Sequence, residues 1–463
     1  MITNQDAKLV LNEALKHGAD FVELYFEETL NHSIELTGGL INKSNTSKIY
    51  GVGVRVLQLD KELYGYTNDV SFSNLLNLAK TLGEGFEGTQ TVFSQDFHKI
   101  KKSIITKAVI DPKTVSNERK AELVKQVYDG AKSHSEEISQ AVVTLVDKIQ
   151  SIWILNSEGL KTDDVRTNTR IAAQVVASGD GIMETASDNY GKNQGYEMFD
   201  DIDLMVFGKS IAESAVTMLH APEMVGGVLP VVIHNAFGGV ILHEACGHSL
   251  EATSVAKNLS VFCNKLGERI GSDIVTAVDD GTIEDAWGSL NIDDEGSPTQ
   301  KNVLIENGIL KSYLIDKRNA RKMKQASTAS ARRESYKYSP TSRMTNTFFV
   351  NGKDSFEDII KTTKYGLFAK KMGGGSVVPT TGEFNFAVNE GYMIEDGKIT
   401  HPVRGATLVG SGSDVLLKID AISDNLSFGH GMCGSVSGSI PANVGQPTIR
   451  VSSMTVGGRG GKK

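Results

Sequence analysis

Hydrophobic and polar positions in the first half of the chain follow two different periods. Apolar residues recur at helical spacing over residues 5–17, about 73–82, 116–131 and 202–219, which predicts four amphipathic helices. The segments FVELYFEET and YGVGVRVLQL alternate with the two-residue period of half-buried strands. The segments QAVVTLVDK, SIWILNS, TRIAAQVVAS and IMETASDNY predict the strands of a meander, because Asn-Ser-Glu-Gly and Ser-Gly-Asp-Gly turns interrupt them.

The pattern changes near Gly226, where glycines and short apolar strands become frequent. We expect one helix around the segment LHEACGH and another near residues 316–324. The order of helix, strands, helix and then mostly strands predicts an α+β fold and disfavours a βαβ repeat of the Rossmann or barrel type. We expect an N-terminal α+β domain over residues 1–222, with subunits 1–90 and 110–220, and a strand-rich C-terminal domain over residues 223–463 that carries a metal-binding helix.

Composition and charge narrow the class of protein. The 463 residues are 40% hydrophobic and 22% charged, with a formal net charge of -8. This charge argues against broad attraction to nucleic acid or to an anionic membrane. The amino terminus lacks the profile of a signal peptide, and no apolar run approaches the roughly 20 residues that span a bilayer. We therefore expect a cytoplasmic protein with no membrane partner, and the three cysteines argue against a disulfide framework.

The segment LHEACGH contains a zinc-protease pattern with one residue too many. His243, Glu244 and His248 repeat the elements of His-Glu-x-x-His, but the two histidines are five residues apart rather than four. On an α-helix, residues five apart differ in direction by roughly 140°, whereas residues four apart differ by roughly 40°. A π turn, or a helix that ends at Gly247, would return both imidazoles to one face. The spacing therefore predicts a distorted helix at Cys246 and Gly247.

A catalytic zinc needs a third protein ligand and one open coordination position. Cys433, which glycines flank in the segment SFGHGMCGS, is the first choice because a thiolate there can approach a metal without steric hindrance. His430, three residues before it, is the alternative. Cys246 and Cys263 are expected to pack in the core.

Two glutamates near the histidines are candidates for a catalytic or supporting role. Glu244 follows the first candidate ligand directly and can act as general base for a metal-bound water. Glu251 lies three residues after His248. It can orient that histidine, bind the metal or remain a solvated helix charge, and the sequence leaves these alternatives open.

Two further segments suggest substrate contacts. In KKMGGGSVVPTTGEFNFAV, the four residues Gly373, Gly374, Gly375 and Ser376 are expected to line a groove in which a peptide pairs as an added strand. The alternative is a plain loop or bulge. The basic stretch over residues 317–337 is expected to be a solvated helix face with internal salt bridges, and the alternative is a site for substrate carboxylates or nucleic acid.

Several segments resemble successive blocks of the TldD/PmbA family. They include GADFVELYFEE, NIDDEGSPTQKNVLIENGILKSYLIDKRNAR, RRESYKYSPTSRMTNTFFV and GMCGSVSGSIPANVGQPTIRVSSMTVGG, and the similarity extends over nearly the whole chain. The resemblance implies a cytoplasmic zinc metalloprotease that acts on peptides and on unfolded or small proteins. It also implies that His243, His248 and Cys433 bind the metal and that Glu244 is the base.

The resemblance also implies an assembly. Because His243, Glu244 and His248 are all present, we expect the metal-bearing, TldD-like type. This type forms a homodimer, or a heterodimer with a metal-less PmbA/TldE-like paralogue, and encloses a substrate cleft between its domains. Members are also linked to modulation of DNA gyrase, so the alternative function is a non-catalytic binding protein with a structural metal site. A metal-dependent hydrolase of non-peptide amides is a third alternative.

Overall fold

The N-terminal part of the chain is an antiparallel sheet covered by four helices. The computed structural model describes residues 2–378 and 380–460. The six strands of this sheet lie in the order β3-β2-β1-β4-β5-β6. Their bounds are β1 (Phe21–Thr37), β2 (Leu40–Gln58), β3 (Lys61–Thr67), β4 (Ile138–Asn156), β5 (Lys161–Gly179) and β6 (Ile182–Lys192). The helices are α1 (Asn4–Leu15), α2 (Phe72–Gly83), α3 (Asn117–Lys132) and α4 (Leu204–His220).

All four predicted helices are present, and their bounds differ from the predicted ones by at most two residues. Their apolar faces build two separate cores against the sheet. The helices α1 and α2 cover one end of it, where Leu11, Leu15 and Leu75 are buried. The helices α3 and α4 cover the other end, where Val124 and Ile211 are buried. The predicted α+β arrangement of this part is therefore confirmed.

The structure corrects one detail of the predicted meander. The segments QAVVTLVDK and SIWILNS form the single strand β4 rather than two strands. The polar residues between them form no turn, because their side chains find buried partners. Asp147 accepts hydrogen bonds from Lys120 and Tyr196, and Gln150 donates one to Glu27.

The C-terminal part contains two larger sheets. One has the strand order β10-β9-β8-β13-β20-β19. In the other, β14, β7, β21, β17 and β15 close into a ring because β15 also pairs with β14; β16 pairs with β15, and β18 with β21. The strands are β7 (Gly227–Ile233), β8 (Ala277–Asp280), β9 (Lys301–Glu306), β10 (Ile309–Leu310), β11 (Ala331–Arg332), β12 (Thr341–Ser342), β13 (Asn346–Phe349), β14 (Tyr365–Val378), β15 (Glu383–Glu395), β16 (Lys398–Val403), β17 (Thr407–Ser411), β18 (Ile419–Ile422), β19 (Ser427–Ser435), β20 (Gly438–Gln446) and β21 (Ile449–Gly457).

Short helices connect these strands, and strands dominate this part as the sequence predicts. The helices are α5 (Val240–Leu242), α6 (His248–Leu250), α7 (Ala252–Val255), α8 (Lys317–Met323), α9 (Phe356–Thr362) and α10 (Gly412–Lys418). A π turn, His243–Gly247, lies between α5 and α6. The helix α8 coincides with the one expected near residues 316–324. Among the helices of the described residues, none is long and apolar enough to cross a membrane.

Buried ion pairs join the N-terminal and C-terminal parts. In each, an arginine meets a carboxylate of the other part, and neither side chain is more than 5% exposed: Arg333 with Glu23, Arg55 with Glu295, and Arg166 with Asp294. Removing charges from water is costly unless they are paired and hydrogen-bonded. These pairs therefore specify how the two parts dock.

The prediction of a solvated helix face over residues 317–337 is wrong. Arg332 and Arg333 are buried, and Arg321 of α8 pairs with Asp20 of the N-terminal part. Arg333 pairs with Glu23 of the N-terminal part, and Arg332 donates hydrogen bonds to the carbonyls of Met344 and Pro441, so these partners lie outside the helix. Sequence spacing along one helix cannot reveal such partners.

Candidate metal centre

A buried strand and a tight turn lead the chain into the motif. The strand β7 is followed by a 3-10 turn, Phe237–Gly239, and then by α5. The turn packs closely on β20, because a Cβ atom at Gly239 would lie 2.6 Å from the backbone of Gly445. Only glycine fits that approach. The first histidine of the motif is thus held at the end of a rigid, buried segment.

The segment His243–Gly247 forms a π turn, which confirms the helix distortion that the spacing predicts. The i to i+5 hydrogen-bond pattern absorbs the extra residue, and the rings of His243 and His248 lie 5.1 Å apart between centroids. Gly247 allows the turn to pack, since a Cβ atom there would lie 2.2 Å from Sδ of Met344. Both imidazoles therefore share one face.

Cys433, on β19, meets the two histidines. Its Sγ lies 3.1 Å from Nε2 of His243 and 3.4 Å from Nε2 of His248. One donor atom from each of the three residues falls within 4.8 Å of the other two. The structure thus brings together the three residues that the sequence analysis proposes as ligands, although 185 positions separate Cys433 from the second histidine.

The electrostatics of the cluster favour a thiolate next to a cation. Burial opposes ionisation of the Cys433 thiol, but His243 and His248 outweigh it and hold the pKa of that thiol well below its usual value. Burial likewise opposes the charge of His248, but Glu251 and Cys433 outweigh it and hold the pKa of His248 well above its usual value. A divalent cation would satisfy the same negative charges.

The two glutamates of the motif occupy different environments. Glu251 is 3% exposed, and its Oε2 lies 3.2 Å from Nδ1 of His248. It therefore orients that ring through the nitrogen that faces away from Cys433, and it is not a solvated helix charge. Glu244 is 29% exposed, and its Oε2 lies 3.7 Å from Nε2 of His248. Its carboxylate is open to solvent on the donor side of the cluster.

The other sulfur and imidazole candidates lie elsewhere. His430 is outside the cluster, and its ring packs against Tyr190 at 5.5 Å. Cys246 is buried in the core, and burial raises the pKa of its thiol to about 12. Cys263 packs against the same core. The expectation of a core position for both cysteines agrees with the structure.

The donor set fits a zinc ion. Nitrogen and sulfur donors about 2.0–2.3 Å from a tetrahedral zinc lie roughly 3.4–3.6 Å from each other, close to the 3.1 and 3.4 Å between the sulfur and the imidazole nitrogens. Within the described residues, no fourth His, Cys, Asp or Glu donor joins the cluster. Three protein donors leave one position of a tetrahedral metal for water or substrate.

One residue that supports the cluster was not singled out from the sequence. Arg343 is fully buried and donates a hydrogen bond from Nη2 to the backbone carbonyl of Cys433. Its Nε also lies 3.8 Å from Oε1 of Glu251. The residue sits in the segment RRESYKYSPTSRMTNTFFV, but nothing in the spacing of that segment indicates contact with the motif.

A cavity of about 700 Å³ lies between the two parts of the chain. One wall comes from β4, β5 and β6, and the other from β14, β19 and the residues 234–238 that precede the motif. Gly373 and Gly374 line this interdomain cavity. Gly375 and Ser376 lie in β14 opposite Phe386 and Asn385 of β15 instead.

The glycine-rich stretch of β14 has one edge without a strand partner. β7 pairs with β14 only through Leu367–Ala369. β15 pairs with its other edge up to Val378, but a bulge between Met372 and Gly375 leaves Gly373 and Gly374 out of the register, as the bulge alternative predicts. Of the residues that the structure describes, none pairs as a strand with the first edge beyond Ala369. A Cβ atom added at Gly374 would meet nothing within 4 Å. An extended peptide therefore has room to approach this edge.

Family models match three successive segments of the chain. They are PmbA/TldA metallopeptidase domain 1 at residues 22–84, the central domain at residues 110–219 and the C-terminal domain at residues 226–458. A protein of Haemophilus influenzae named "Metalloprotease TldD homolog" is 36% identical over 98% of this chain and 97% of its own length.

The chain belongs to the TldD/PmbA family.

A further relative and two solved structures are also similar to this chain. A Saccharolobus solfataricus protein named "Zinc metalloprotease TldD homolog" is 28% identical over 63% of this chain and 65% of its own. The crystal structure of a putative modulator of a DNA gyrase from Thermotoga maritima superposes with a TM-score of 0.78 at 22% identity, covering 94% of this chain and 96% of that one. TldE from Thermococcus kodakarensis gives 0.77 at 17% identity, covering 98% and 100%. These structural likenesses show the shared fold.

Proposed function

We propose that this protein is a zinc-dependent peptidase of the metal-bearing, TldD-like type, which hydrolyses peptide bonds in peptides and in unfolded or small proteins. The observation that carries the proposal is the convergence of His243, His248 and Cys433 donors within 4.8 Å on one side of a π turn, with Glu244 beside them. Its relatives carry the name metalloprotease, and this supports a metallopeptidase role.

The three donor side chains would hold the metal. When bound there, zinc supplies Lewis acidity, which polarises a carbonyl oxygen and makes a water molecule acidic enough to ionise near pH ~7. Glu251 keeps His248 in the orientation that directs Nε2 at the cluster, because Oε2 of Glu251 contacts Nδ1 of that ring. Arg343 holds the backbone of Cys433 through the carbonyl.

Glu244 is the general base in this proposal. Its carboxylate is partly exposed and lies at the edge of the cluster, so it can accept a proton from the attacking water. The same carboxylic acid then returns the proton to the leaving amine. In the overall reaction the C–N bond breaks, water supplies the hydroxyl group of the new carboxylic acid, and the new amine takes the proton that Glu244 carried.

The free edge of β14 beyond Ala369 binds the substrate backbone in this proposal. Main-chain hydrogen bonds to such an edge recognise an extended peptide without demanding particular side chains. Gly374 admits the peptide because it carries no side chain and the space beside it is open. This mode favours unfolded segments over folded proteins. We place the reaction in the cytoplasm, in a homodimer or in a heterodimer with a metal-less PmbA/TldE-like paralogue, as the family resemblance implies.

The decisive experiment compares the wild type with Glu244→Gln. We expect the variant to bind zinc at the wild-type stoichiometry and to cleave an unstructured peptide about 10²–10⁴-fold more slowly, since it keeps the ligands but loses the base. Zinc is measured by elemental analysis, and cleavage by chromatography of the products. Glu306→Gln, at an exposed glutamate, is the matched control and should change neither quantity.

The same experiment separates the alternatives. Undiminished cleavage by Glu244→Gln would exclude this residue as the base. A wild-type protein that binds zinc and cleaves no peptide would instead favour a binding protein with a structural metal. Removing the metal with a chelator should abolish cleavage, and adding zinc should restore it.

A further inference from the structure

Arg170 places a guanidinium group on the wall of the interdomain cavity. The residue lies in β5, opposite β14 and β19. Its Nε donates a hydrogen bond to Oδ1 of Asn189 at 3.0 Å, and its guanidinium lies over the ring of Trp287 at 5.8 Å. Arg170 lines the cavity, and within the described residues no hydrogen bond or ion pair engages its two Nη groups.

Arg170 differs from the other cations around it in having no carboxylate partner. At the same cavity, Lys370 pairs with Glu390 at 2.7 Å and Lys371 with Asp188 at 3.4 Å. No carboxylate in the described part of the chain pairs with Arg170, and burial alone accounts for a lowered pKa of this residue. The half-buried charge is therefore left without the anion that would stabilise it.

The neighbouring imidazole of His430 carries no charge, so it neither pairs with Arg170 nor attracts a carboxylate in its place. Burial, and to a smaller extent the charge of Arg170, lower the pKa of His430 to about 4, so this ring is neutral near pH 7. His430 and Cys433 lie on the same strand, three residues apart. With a rise of about 3.3 Å per residue, this separation is roughly 10 Å. Because side chains three residues apart on a strand point to opposite faces, Cys433 faces the metal cluster, whereas His430 faces the cavity that Arg170 also lines.

We propose that Arg170 determines substrate specificity by binding a carboxylate of a peptide that lies along the β14 edge of the same cavity. A guanidinium group binds a carboxylate through two parallel hydrogen bonds, and the partial burial of Arg170 strengthens them. The carboxylate belongs either to an aspartate or glutamate side chain or to the free C-terminus of the peptide. This inference rests on the proposed peptidase function.

The test uses matched peptides that differ only in one carboxylate. The first set moves a single glutamate, or the isosteric glutamine, through each position of an alanine-serine peptide with an amidated C-terminus. The second set compares a free with an amidated C-terminus on the uncharged peptide. Cleavage is followed as kcat/KM with the zinc-loaded wild type. Binding of fluorescent versions of the same peptides to the full chain is measured by anisotropy, which does not require hydrolysis.

In the wild type, we expect one carboxylate position to raise kcat/KM and affinity about ten-fold or more over its amide counterpart. In Arg170→Gln, this ratio should fall to about one while cleavage of the all-amide peptide persists, because only the guanidinium partner is lost. Arg170→Lys should keep part of the preference, since it retains the charge without the planar fork. Lys192→Gln, which removes a cation that is paired with Asp201 next to Tyr190 of the cavity wall, is the control and should leave the ratio within about two-fold.

The outcomes separate this inference from the proposed function. A wild type that cleaves every peptide with no carboxylate preference overturns the role of Arg170, as does a preference that survives in Arg170→Gln. If the wild type cleaves nothing but binds the carboxylate peptides more tightly in an Arg170-dependent way, the binding role stands and the peptidase function fails. Thermal unfolding of each variant verifies that Arg170→Gln is folded, and Arg170→Lys provides the second readout if it is not.

Discussion

At the scale of single residues, strand geometry decides which side chain of β19 meets the histidines. Residues three apart on a strand point to opposite faces, so His430 and Cys433 cannot both face the motif. Cys433 faces the π turn, and His430 faces Tyr190 and the cavity. The sequence offers both as candidates because each lies in the same glycine-rich segment. The family resemblance implies Cys433, and the pairing of β19 with β20 supplies the physical reason.

The contact between Glu251 and His248 leads to a residue-scale prediction. A carboxylate that holds the second nitrogen of a metal-binding imidazole typically contributes 10–100-fold to metal affinity. We therefore expect Glu251→Gln to weaken zinc binding by about 10–100-fold. Competition with a chromogenic chelator measures this affinity, and Glu268→Gln, at an exposed glutamate, serves as the control. Unchanged zinc affinity in Glu251→Gln would contradict the orienting role.

At the scale of elements, the π turn shows how an irregular helix can be predicted from spacing alone. Two histidines five apart share a face only if the helix winds less tightly for one turn, and the segment His243–Gly247 does so. The sequence did not reveal that Gly247 is needed for packing against Met344. That requirement comes from a strand connection about 100 positions further along the chain.

The free edge of β14 provides an element-scale prediction. Gly374→Val should lower kcat/KM for an unstructured peptide at least about ten-fold, because branched bulk at this edge displaces the substrate backbone. It should barely change the midpoint of thermal unfolding, since a Cβ atom there meets nothing within 4 Å. Gly227→Val, on a strand where a Cβ atom meets only Leu229 at 3.6 Å, is the control. Undiminished cleavage by Gly374→Val would remove this edge from the binding site.

At the scale of the whole molecule, buried ion pairs join the N-terminal and C-terminal parts. Arg333 and Glu23 are both fully buried, and the guanidinium of Arg333 also lies 4.1 Å from the centre of the Tyr25 ring. Such pairs contribute little net stability compared with apolar residues of the same shape, but breaking one leaves an uncompensated buried charge. A substitution that removes only one partner of such a pair is therefore expected to destabilise the protein.

This arrangement predicts a large stability cost for a single substitution at the interface. Arg333→Met should lower the free energy of unfolding by about 3–5 kcal/mol, because Glu23 remains buried without its partner. Arg333→Met combined with Glu23→Gln should recover part of this loss. Arg119→Met, which breaks an exposed pair with Glu122, should cost less than about 1 kcal/mol. Urea unfolding measures all three, and equal costs for the two single variants would refute the importance of the buried pair.

Much of the fold could be predicted because local patterning determines it. The four N-terminal helices, the strand-rich C-terminal part and the distorted motif helix all follow from apolar periodicity and spacing. The continuous strand β4 could not, because its central polar residues resemble a turn until their buried partners are known. The burial of Arg332 and Arg333 in the basic stretch over residues 317–337 could not be predicted for the same reason, because their partners lie outside that stretch.

The sequence by itself determined the residue types of the candidate metal centre, the π turn and the family. These features depend on neighbours along the chain, where spacing and side-chain chemistry are visible. The tertiary structure alone decided that Glu251 orients His248 and that Arg170 lines the cavity without a carboxylate partner, and it gave the physical reason why Cys433 rather than His430 meets the histidines. Each of these depends on strand pairing or on burial between distant segments, and no local pattern encodes the partner of a side chain across the fold.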